Sequence, residues 1–404
     1  MDMKKDVLFL CQFFYPEHNS SATLPFDTAK YLAAHGLQVD ALCGYPREYS
    51  DAGEVPLRET KDGVGIRRIR YIQLARGKKL SRLINYFSFT VSALMRLFRI
   101  RCYKSVIVYS NPPVLPVVAV LANMLFRTKI IFVAYDLYPE IAYASGTLRP
   151  GDMIDRGMRW INIRMYKRVS AVVAMTDEMR EFIVQNRPVD PQKVVTIANW
   201  AHEKRRDPDQ AAFDRFGYTK DQFVVSYFGN MGICQDMQTL MGAAEQLKEE
   251  LDIRFLIVGH GSKKEQIRQQ IQDKNLKNVQ LLDFLTGKEF EQAVAVSSCC
   301  VVSLKSGIKG MCAPSKLYSY LQGGKPVLAV AEKGSYLHAE VEGRKIGRAV
   351  TLGDVSGLCD AILQTAENRK LCAQMGEHAL RLYEEEYAMQ IGLGKYQVLL
   401  ENLL

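Results

Sequence analysis

The chain has nine cysteines but no Cys-x-x-Cys pair. They are scattered, and Cys299 and Cys300 fall inside the apolar run "SSCCVVSL". Buried, reduced thiols of a cytosolic protein are expected, with neither a disulfide framework nor a zinc site. No apolar run is long enough to cross a bilayer, since the longest, "VLPVVAVLANMLF" at 114–126, falls well short. The start, "MDMKKDVLFLCQFF", lacks a small-residue cleavage site and reads as a first strand, not a leader. The protein is therefore expected to be soluble or peripheral.

Acid is the other shortage. Between Asp62 and Asp136 there is no Asp or Glu, while 13 Lys and Arg lie there. The net charge is +9; residues 1–200 carry 28 Lys and Arg against 18 Asp and Glu, and the remainder carries 25 against 26. An exclusion of that length is more than a solvated face needs, and it points to an anionic partner for the first half. The basic residues are not interleaved with a recognisable nucleic-acid module, so nucleic acid is not the expected partner.

The chain's 404 residues, 48% apolar and 24% charged, suit two soluble domains, each with its own core. Short runs rich in Val, Ile and Phe alternate with helical patterns along the whole length, the signature of parallel βαβ units. The predicted strands of the first half are 6–14, 38–43, 64–72, 105–110, 129–136, 171–176 and 194–198. Those of the second are 223–229, 253–259, 279–282, 300–304 and 326–331. Between them "NWAHEKRRDPDQAAFDRFGYTKDQ" is polar and turn-rich, the natural boundary. An α/β architecture of two Rossmann-like, doubly wound domains follows, with ligands expected in a cleft facing the carboxyl ends of both sheets. The expected domains are 1–200, 201–385, and a C-terminal helix at 386–404 packing back on the first.

One helix stands out in the acid-free segment. Over 80–98, Leu80, Leu83, Ile84, Phe87, Val91, Leu94, Met95 and Phe98 follow helical spacing, and this stripe is expected to be buried against the sheet. Its basic flanks, Lys78, Lys79, Arg82, Arg96 and Arg99, are expected to meet an anionic membrane surface.

Four loops follow predicted strands and carry candidate chemistry. In "YPEHNSSATLPF", His18, Asn19 and Ser20 precede a helix whose cap is expected at Ser20 or Ser21. In "VAYDLYPE", Asp136 ends a strand and Glu140 follows, carboxylates placed for chemistry or for sugar hydroxyls, with an Asx turn or helix cap as the plainer reading. In "YFGNMGICQDMQTL", Gly229, Asn230 and Gln235 form a turn whose N–H groups are expected to point at a diphosphate. In "IVGHGSKKEQI", Gly259 and Gly261 open another helix. To these "CAPSKLYSYLQGGKPVLAV" adds Ser315 and Lys316 at a helix start, where an ammonium favours a diphosphate, with Lys305 and Lys309 upstream.

Together these motifs resemble the family-4 retaining glycosyltransferases of the GT-B fold. The resemblance runs from "FYPEHNSSATLPFDTAKYLAAHGLQVDALC" through "VSAVVAMTDEMREFIVQNRPVDPQKVVTIANW" to "VVSYFGNMG", "RFLIVGHGSKKEQI", "KNVQLLDF" and "LYSYLQGGKPVLAV". "DLYPE" and "PSKLYSY" are most similar to the bacterial branch that builds capsule, O-antigen and exopolysaccharide units. The resemblance implies transfer of a sugar, an N-acetylated hexosamine or related hexose, from a nucleotide diphosphate, expected to be UDP-linked. The acceptor would be polyprenyl-diphosphate-linked, at the cytoplasmic face of the membrane.

Several family positions differ. Asn19 and Ser20 stand where glycines are usual, Tyr135 where a histidine precedes the aspartate, and Asn230 and Gln235 where Arg and Lys hold the diphosphate. Met311 and Ser319 replace a pair of glutamates. These losses raise the weight on Lys316. No cofactor or metal is expected, lysine and helix dipoles taking that role. The family picture of retention is same-face attack, the leaving phosphate oxygen accepting the acceptor's proton. Two alternatives share the fold: a nucleotide-sugar epimerase, which needs paired acid/base groups at the sugar, and a catalytically silent GT-B partner at the membrane.

Overall fold

Buried apolar runs alternating with helices build two parallel sheets, one in each of two units of the computed structural model, which describes residues 4–46, 53–74, 79–202 and 204–404. The first unit comprises Met1–Asn199, Gly310–Ala313 and Gln390–Leu404, the second Trp200–Lys309 and Pro314–Met389.

In the first unit β1 (Lys5–Cys11) leads through α1 (Ser20–Ala34) to β2 (Val39–Gly44), β3 (Arg58–Lys61) and β4 (Val64–Ile69). The chain then recrosses through α2 (Lys79–Leu94) and a 3₁₀ turn, Leu97–Cys102, to β5 (Tyr103–Tyr109). There follow α3 (Pro116–Phe126), β6 (Lys129–Ala134), α4 (Glu140–Ala144), α5 (Met153–Tyr166), β7 (Ala171–Ala174), α6 (Asp177–Asn186) and β8 (Val194–Thr196). The strand order is β3-β4-β2-β1-β5-β6-β7-β8, all parallel except β3, and the order in which the chain adds strands reverses between β1 and β5. Right-handed crossovers put α2, α3 and α5 on one face of this sheet and α1 on the other. α3 touches both α2 and α5.

The second unit opens with α7 (Gln210–Phe216), then β9 (Phe223–Asn230), α8 (Met237–Gln246), β10 (Ile253–His260), α9 (Lys264–Asp273), β11 (Val279–Leu282), α10 (Gly287–Val296) and β12 (Cys299–Ser303). It continues through α11 (Lys316–Gln322), β13 (Val327–Val330), α12 (Tyr336–Gly343), β14 (Gly347–Val350), α13 (Val355–Glu367) and α14 (Arg369–Leu382). Its all-parallel order is β11-β10-β9-β12-β13-β14, with the reversal between β9 and β12. The core packs Phe223, Val225, Tyr227, Phe255 and Ile257 against Leu240, Met241 and Leu358. The last helix, α15 (Met389–Leu403), lies from Gln390 onward in the first unit, where Lys129 donates to Leu403 O. Among the described residues no helix is long and apolar enough to cross a membrane.

Three sequence expectations need correction. The strands stop short of predicted runs 6–14, 64–72 and 129–136. The last residues of those runs leave the ladder to form the loops at the sheet's carboxyl edge. Two strands carry no sequence signal, because β3 is a charged edge strand with alternating exposure and β14 ("GRAV") has no apolar run. The stripe on α2 is the third. The face of α2 that packs inward is Asn85, Phe89, Thr90 and Ala93, whereas Leu80, Phe87 and Val91 point outward, as do Met95 and Phe98 beyond the helix end at Leu94. Periodicity identifies the residues sharing a face but places that face on the wrong side.

Arg68 fastens the edge of the first sheet. Its side chain is shielded from water, donates to Pro56 O at 2.7 Å and to Tyr15 O at 3.0 Å, and pairs with Glu59. Removing one partner of such a buried pair costs about 3–5 kcal/mol. Arg68→Met should therefore lower the urea-unfolding free energy by about 3 kcal/mol, discounted because Glu59 keeps some solvent contact; a loss under about 1 kcal/mol would assign the edge to apolar packing instead.

Candidate functional site

Open parallel sheets bind ligands where strand order reverses, at the carboxyl ends of the strands. In the second unit Gly229 and Gly259 meet there as register partners on β9 and β10. Gly259 has φ +146°, and a Cβ on it would lie 1.9 Å from Gly229 O, an approach only glycine permits. Beside Gly229 sits Lys316, whose Nζ would be 3.5 Å from a methyl on that glycine.

The Lys316 ammonium donates to Tyr227 Oη at 2.7 Å and lies 4.1 Å from that ring's centroid. Tyr227 is fully buried and its hydroxyl donates onward to Asn230 O at 2.6 Å. Among the described residues no carboxylate pairs with Lys316, and burial draws its pKa down to about 7. A half-buried cation facing glycine backbone, with a phenol and a π face but no carboxylate among the described residues, is fitted to an anionic ligand.

The neighbouring turn is more occupied than the sequence suggests. Gln235 Oε1 accepts from Gly232 N–H at 3.1 Å, and Asp236 caps α8 by accepting from the N–H groups of Gln238 and Thr239 at 3.1 and 3.2 Å. Within this turn and the helix start after it, the N–H groups of Gly232, Gln238 and Thr239 are thus already taken, and that of Gln235 donates to Gly232 O at 3.4 Å. Gly261 closes against the Met231 backbone, and Lys263 Nζ donates to Gln235 O at 2.6 Å, tying the loops after β9 and β10 together. Ser315 is exposed and makes no side-chain cap, so α11 starts uncapped at Lys316. Lys309 Nζ donates to Gly334 O at 2.7 Å, and the Lys305 N–H donates to Cys234 O at 2.8 Å.

In the first unit Ser110, just past β5, accepts from the N–H groups of both Tyr135 and Asp136 at 3.1 Å. Asp136 also bridges to Cys312, and Leu137 N–H donates to Met311 O at 2.8 Å, so the segment where the first of the family's glutamates would stand contributes backbone here. Burial alone raises the Asp136 carboxyl to about 6, with no donor among the described residues. Glu140, by contrast, is ion-paired with Arg187, which also donates to Tyr138 O. Of the two carboxylates only Asp136 lacks a cation.

His18 is exposed, Asn19 is the N-cap of α1 through its carbonyl, and Ser20 is the helix's first residue, so the cap falls one residue earlier than expected. Among the described residues, three buried acceptors in the loops that follow β1 and β5 have no partner: Gln12 Oε1, Asn19 Oδ1 and Asn111 Oδ1. Orphan acceptors at a strand-order reversal fit donors such as sugar hydroxyls. Sequence reasoning missed Gln12, Ser110, Asn111, Tyr227 and Lys263. The first three had a signal, polar residues directly after a buried apolar strand; Tyr227 reads as a core aromatic.

Of the basic flank, Arg82 and Arg99 are exposed, and Arg96 Nη1 donates to Ser92 O at 2.8 Å. Lys79 opens α2, and Lys78 lies outside the described residues. No group of three His, Cys, Asp or Glu among the described residues has the arrangement of a metal site. The Asp-Pro-Asp at 207–209 is otherwise engaged: Asp209 accepts from Ala212 N–H at 2.8 Å and Asp207 lies 3.8 Å from Arg205.

Residues 26–200 match the domain family described as glycosyl transferase 4-like domain, and residues 222–368 match glycosyl transferases group 1. The chain is 25% identical over 334 residues, 82% of its length and 81% of the other's, to the probable glycosyltransferase WbjE of Pseudomonas aeruginosa. It is 26% identical over 149 residues, 36% of each chain, to the putative colanic acid biosynthesis glycosyl transferase WcaI of Escherichia coli K12. Its fold is similar to that of Anabaena Alr3699/HepE in complex with UDP, with TM-score 0.70 at 16% identity over 98% of this chain and 100% of that one.

The Asp136 shift makes a signed prediction. A carboxyl whose folded pKa, about 6, exceeds its ordinary 3.8 contributes nothing unfavourable below pH 3.8 and costs stability as pH rises through 6. Asp136→Asn should match the wild type near pH 4 and exceed it by roughly 2–3 kcal/mol above pH 6.5 in urea unfolding. Parallel curves through that window would show the carboxyl to be unperturbed.

Proposed function

Taking as premise that the chain is a glycosyltransferase of the GT-B fold, we propose that it moves a hexose or N-acetylated hexosamine from a UDP-linked donor to a polyprenyl-diphosphate-linked acceptor. The reaction retains anomeric configuration and serves surface polysaccharide synthesis at the cytoplasmic face of the membrane. The single observation that carries the donor half is the unpaired Lys316 ammonium on Tyr227 beside Gly229. A departing nucleoside diphosphate supplies the anion that this cation lacks, and holding the charge that develops on it lowers the barrier to transfer. UDP is supported by the fold's likeness to a protein whose solved structure holds it.

Acceptor hydroxyls are assigned to the first unit. Gln12, Asn19 and Asn111 offer them buried acceptors, and Asp136 offers negative charge to an oxocarbenium-like transition state. Retention is assigned by same-face attack, with the leaving phosphate oxygen taking the acceptor's proton. An epimerase needs two acid/base groups at the sugar, and the pairing of Glu140 with Arg187 leaves one free carboxylate, which favours transfer.

The membrane reading is supported by exposed apolar residues on three neighbouring helices of one sheet face: Phe87 and Val91 on α2, Leu125 on α3, Met153 and Trp160 on α5. Arg164 stacks on Trp160 at 4.9 Å, an amphipathic pair of the kind found at bilayer interfaces. The colanic acid relative supports the polysaccharide class.

Lys316 gives the test. Free, it titrates near about 7; with a diphosphate in contact its pKa rises, so UDP binding takes up a proton above pH 7. UDP affinity should be level below pH 7 and fall by up to about tenfold per pH unit above it. Calorimetry at pH 8.5 in buffers of different ionisation enthalpy should register uptake approaching one proton, lost in Lys316→Ala. Proton-neutral binding by the wild type would place the diphosphate elsewhere.

A further inference from the structure

The outward stripe of α2 is one wall of a built groove. The other wall is the extended segment at 70–74 that follows β4. Asn85 Nδ2 donates to Leu74 O at 2.9 Å while its Oδ1 accepts from Leu74 N–H at 2.8 Å, and Ser88 Oγ donates to Ile72 O at 3.2 Å. These bonds fix the strand extension along the helix. The space between, about 840 Å3, is lined mainly by apolar surface from Ile72, Leu80, Leu83, Ile84, Phe87 and Val91.

Three observations select an occupant. The lining is apolar and lies open to solvent, so a hydrocarbon entering it removes Ile72, Leu80, Phe87 and Val91 from water. Cations lie in or next to the lining: Arg70 belongs to one wall, and Arg96 Nη1 donates to the carbonyl of Ser92, a lining residue of the other. No acid occurs on the chain between Asp62 and Asp136, so neither wall of the groove carries an acidic residue of its own. The third is continuity with the candidate acceptor residues. Tyr71 in the wall stacks edge-on with Phe89 at 5.4 Å, and its hydroxyl accepts from Gln12 Nε2 at 3.2 Å. Gln12 is the side chain whose other amide atom is an orphan acceptor at the strand-order reversal.

We propose that this groove binds the isoprenoid chain of a lipid-diphosphate acceptor, apolar tail along α2 and headgroup at the arginine rim. The proposal rests on the lipid-acceptor reading above but concerns a separate surface. A tail held there points its head toward Gln12, so chain length and hydroxyl placement are read by one continuous wall. A peptide helix would also cover the apolar lining, but it would leave the acid-free rim without a counter-charge.

Farnesyl diphosphate is the probe, titrated by calorimetry with UDP present to occupy the diphosphate site of the second unit. The wild type should bind it, and inorganic diphosphate at the same concentration should not compete. Phe87→Ser combined with Val91→Ser should weaken binding about tenfold or more, while Leu251→Ser, an exposed apolar change in the second unit, should leave it as it was. Thermal unfolding of each variant checks folding, which these outward positions should hardly affect. No binding, equal binding to the double variant, or displacement by inorganic diphosphate each overturns the groove. Transfer of sugar to a polyprenyl-diphosphate acceptor is assayed separately. Absence of transfer with farnesyl binding intact would overturn the acceptor reading alone, and transfer with unaltered farnesyl binding in the double variant would overturn the groove alone.

Discussion

Lys316 is a half-buried ammonium with no carboxylate beside it among the described residues, and the carboxyl edge of the second sheet is organised around that fact. A buried cation is tolerable only if something polarisable and something hydrogen-bonding stand in for solvent. Tyr227 supplies both, through its ring face and its hydroxyl, and the hydroxyl is itself satisfied by Asn230 O. The arrangement leaves the ammonium directed at Gly229, where no side chain can block it. A carboxylate partner would have removed that strain and, on the function proposed above, would compete with an incoming diphosphate.

That one requirement propagates into the backbone. For an anion to reach Lys316 the end of β9 must be bare, which puts glycine at 229. β10 runs in register beside it, and Gly259 must then approach Gly229 O more closely than any Cβ allows. The loops beyond are closed by their own side chains, Gln235 on Gly232 and Asp236 on the start of α8. The usual provision for a diphosphate in such sheets is free N–H groups at a helix start. Here much of that provision is used up internally, so the charge of a single lysine carries a larger share.

The parallel-sheet architecture was legible because buried strands announce themselves as apolar runs, and twelve of them recur between helical patterns. What escaped had a physical reason in each case. β3 is charged and β14 is four residues with only Ala349 and Val350 apolar, so no apolar run marks either. Lys316 and Gly229 were visible as residues but not as neighbours, since 87 positions separate them in the chain. Tyr227 was invisible as chemistry, because one hydroxyl inside "FVVSYFGN" cannot be told from core packing until its partner is known. Asp136 and Glu140 looked equivalent in "DLYPE"; a guanidinium from α6's end, Arg187, separates them.

The error over α2 is the most informative, because the spacing was right and the direction wrong. A helix against a sheet normally turns its larger apolar arc inward. α2 turns inward a narrow arc of Phe89 and Ala93 with Asn85 and Thr90, whose polar groups are satisfied by Leu74 and by Tyr86 O, and keeps its bulky arc in water. Exposure of so many large side chains on one stripe opposes stability and solubility unless another apolar phase covers it. The loss of acid over the same stretch would by itself oppose stability too, through repulsion among its cations. Each feature is unfavourable alone and both are relieved by one kind of partner, apolar in its body and anionic at its head. Their coincidence in a single segment, joined through Tyr71 to Gln12, is therefore stronger support for a lipid than either the stripe or the charge considered separately.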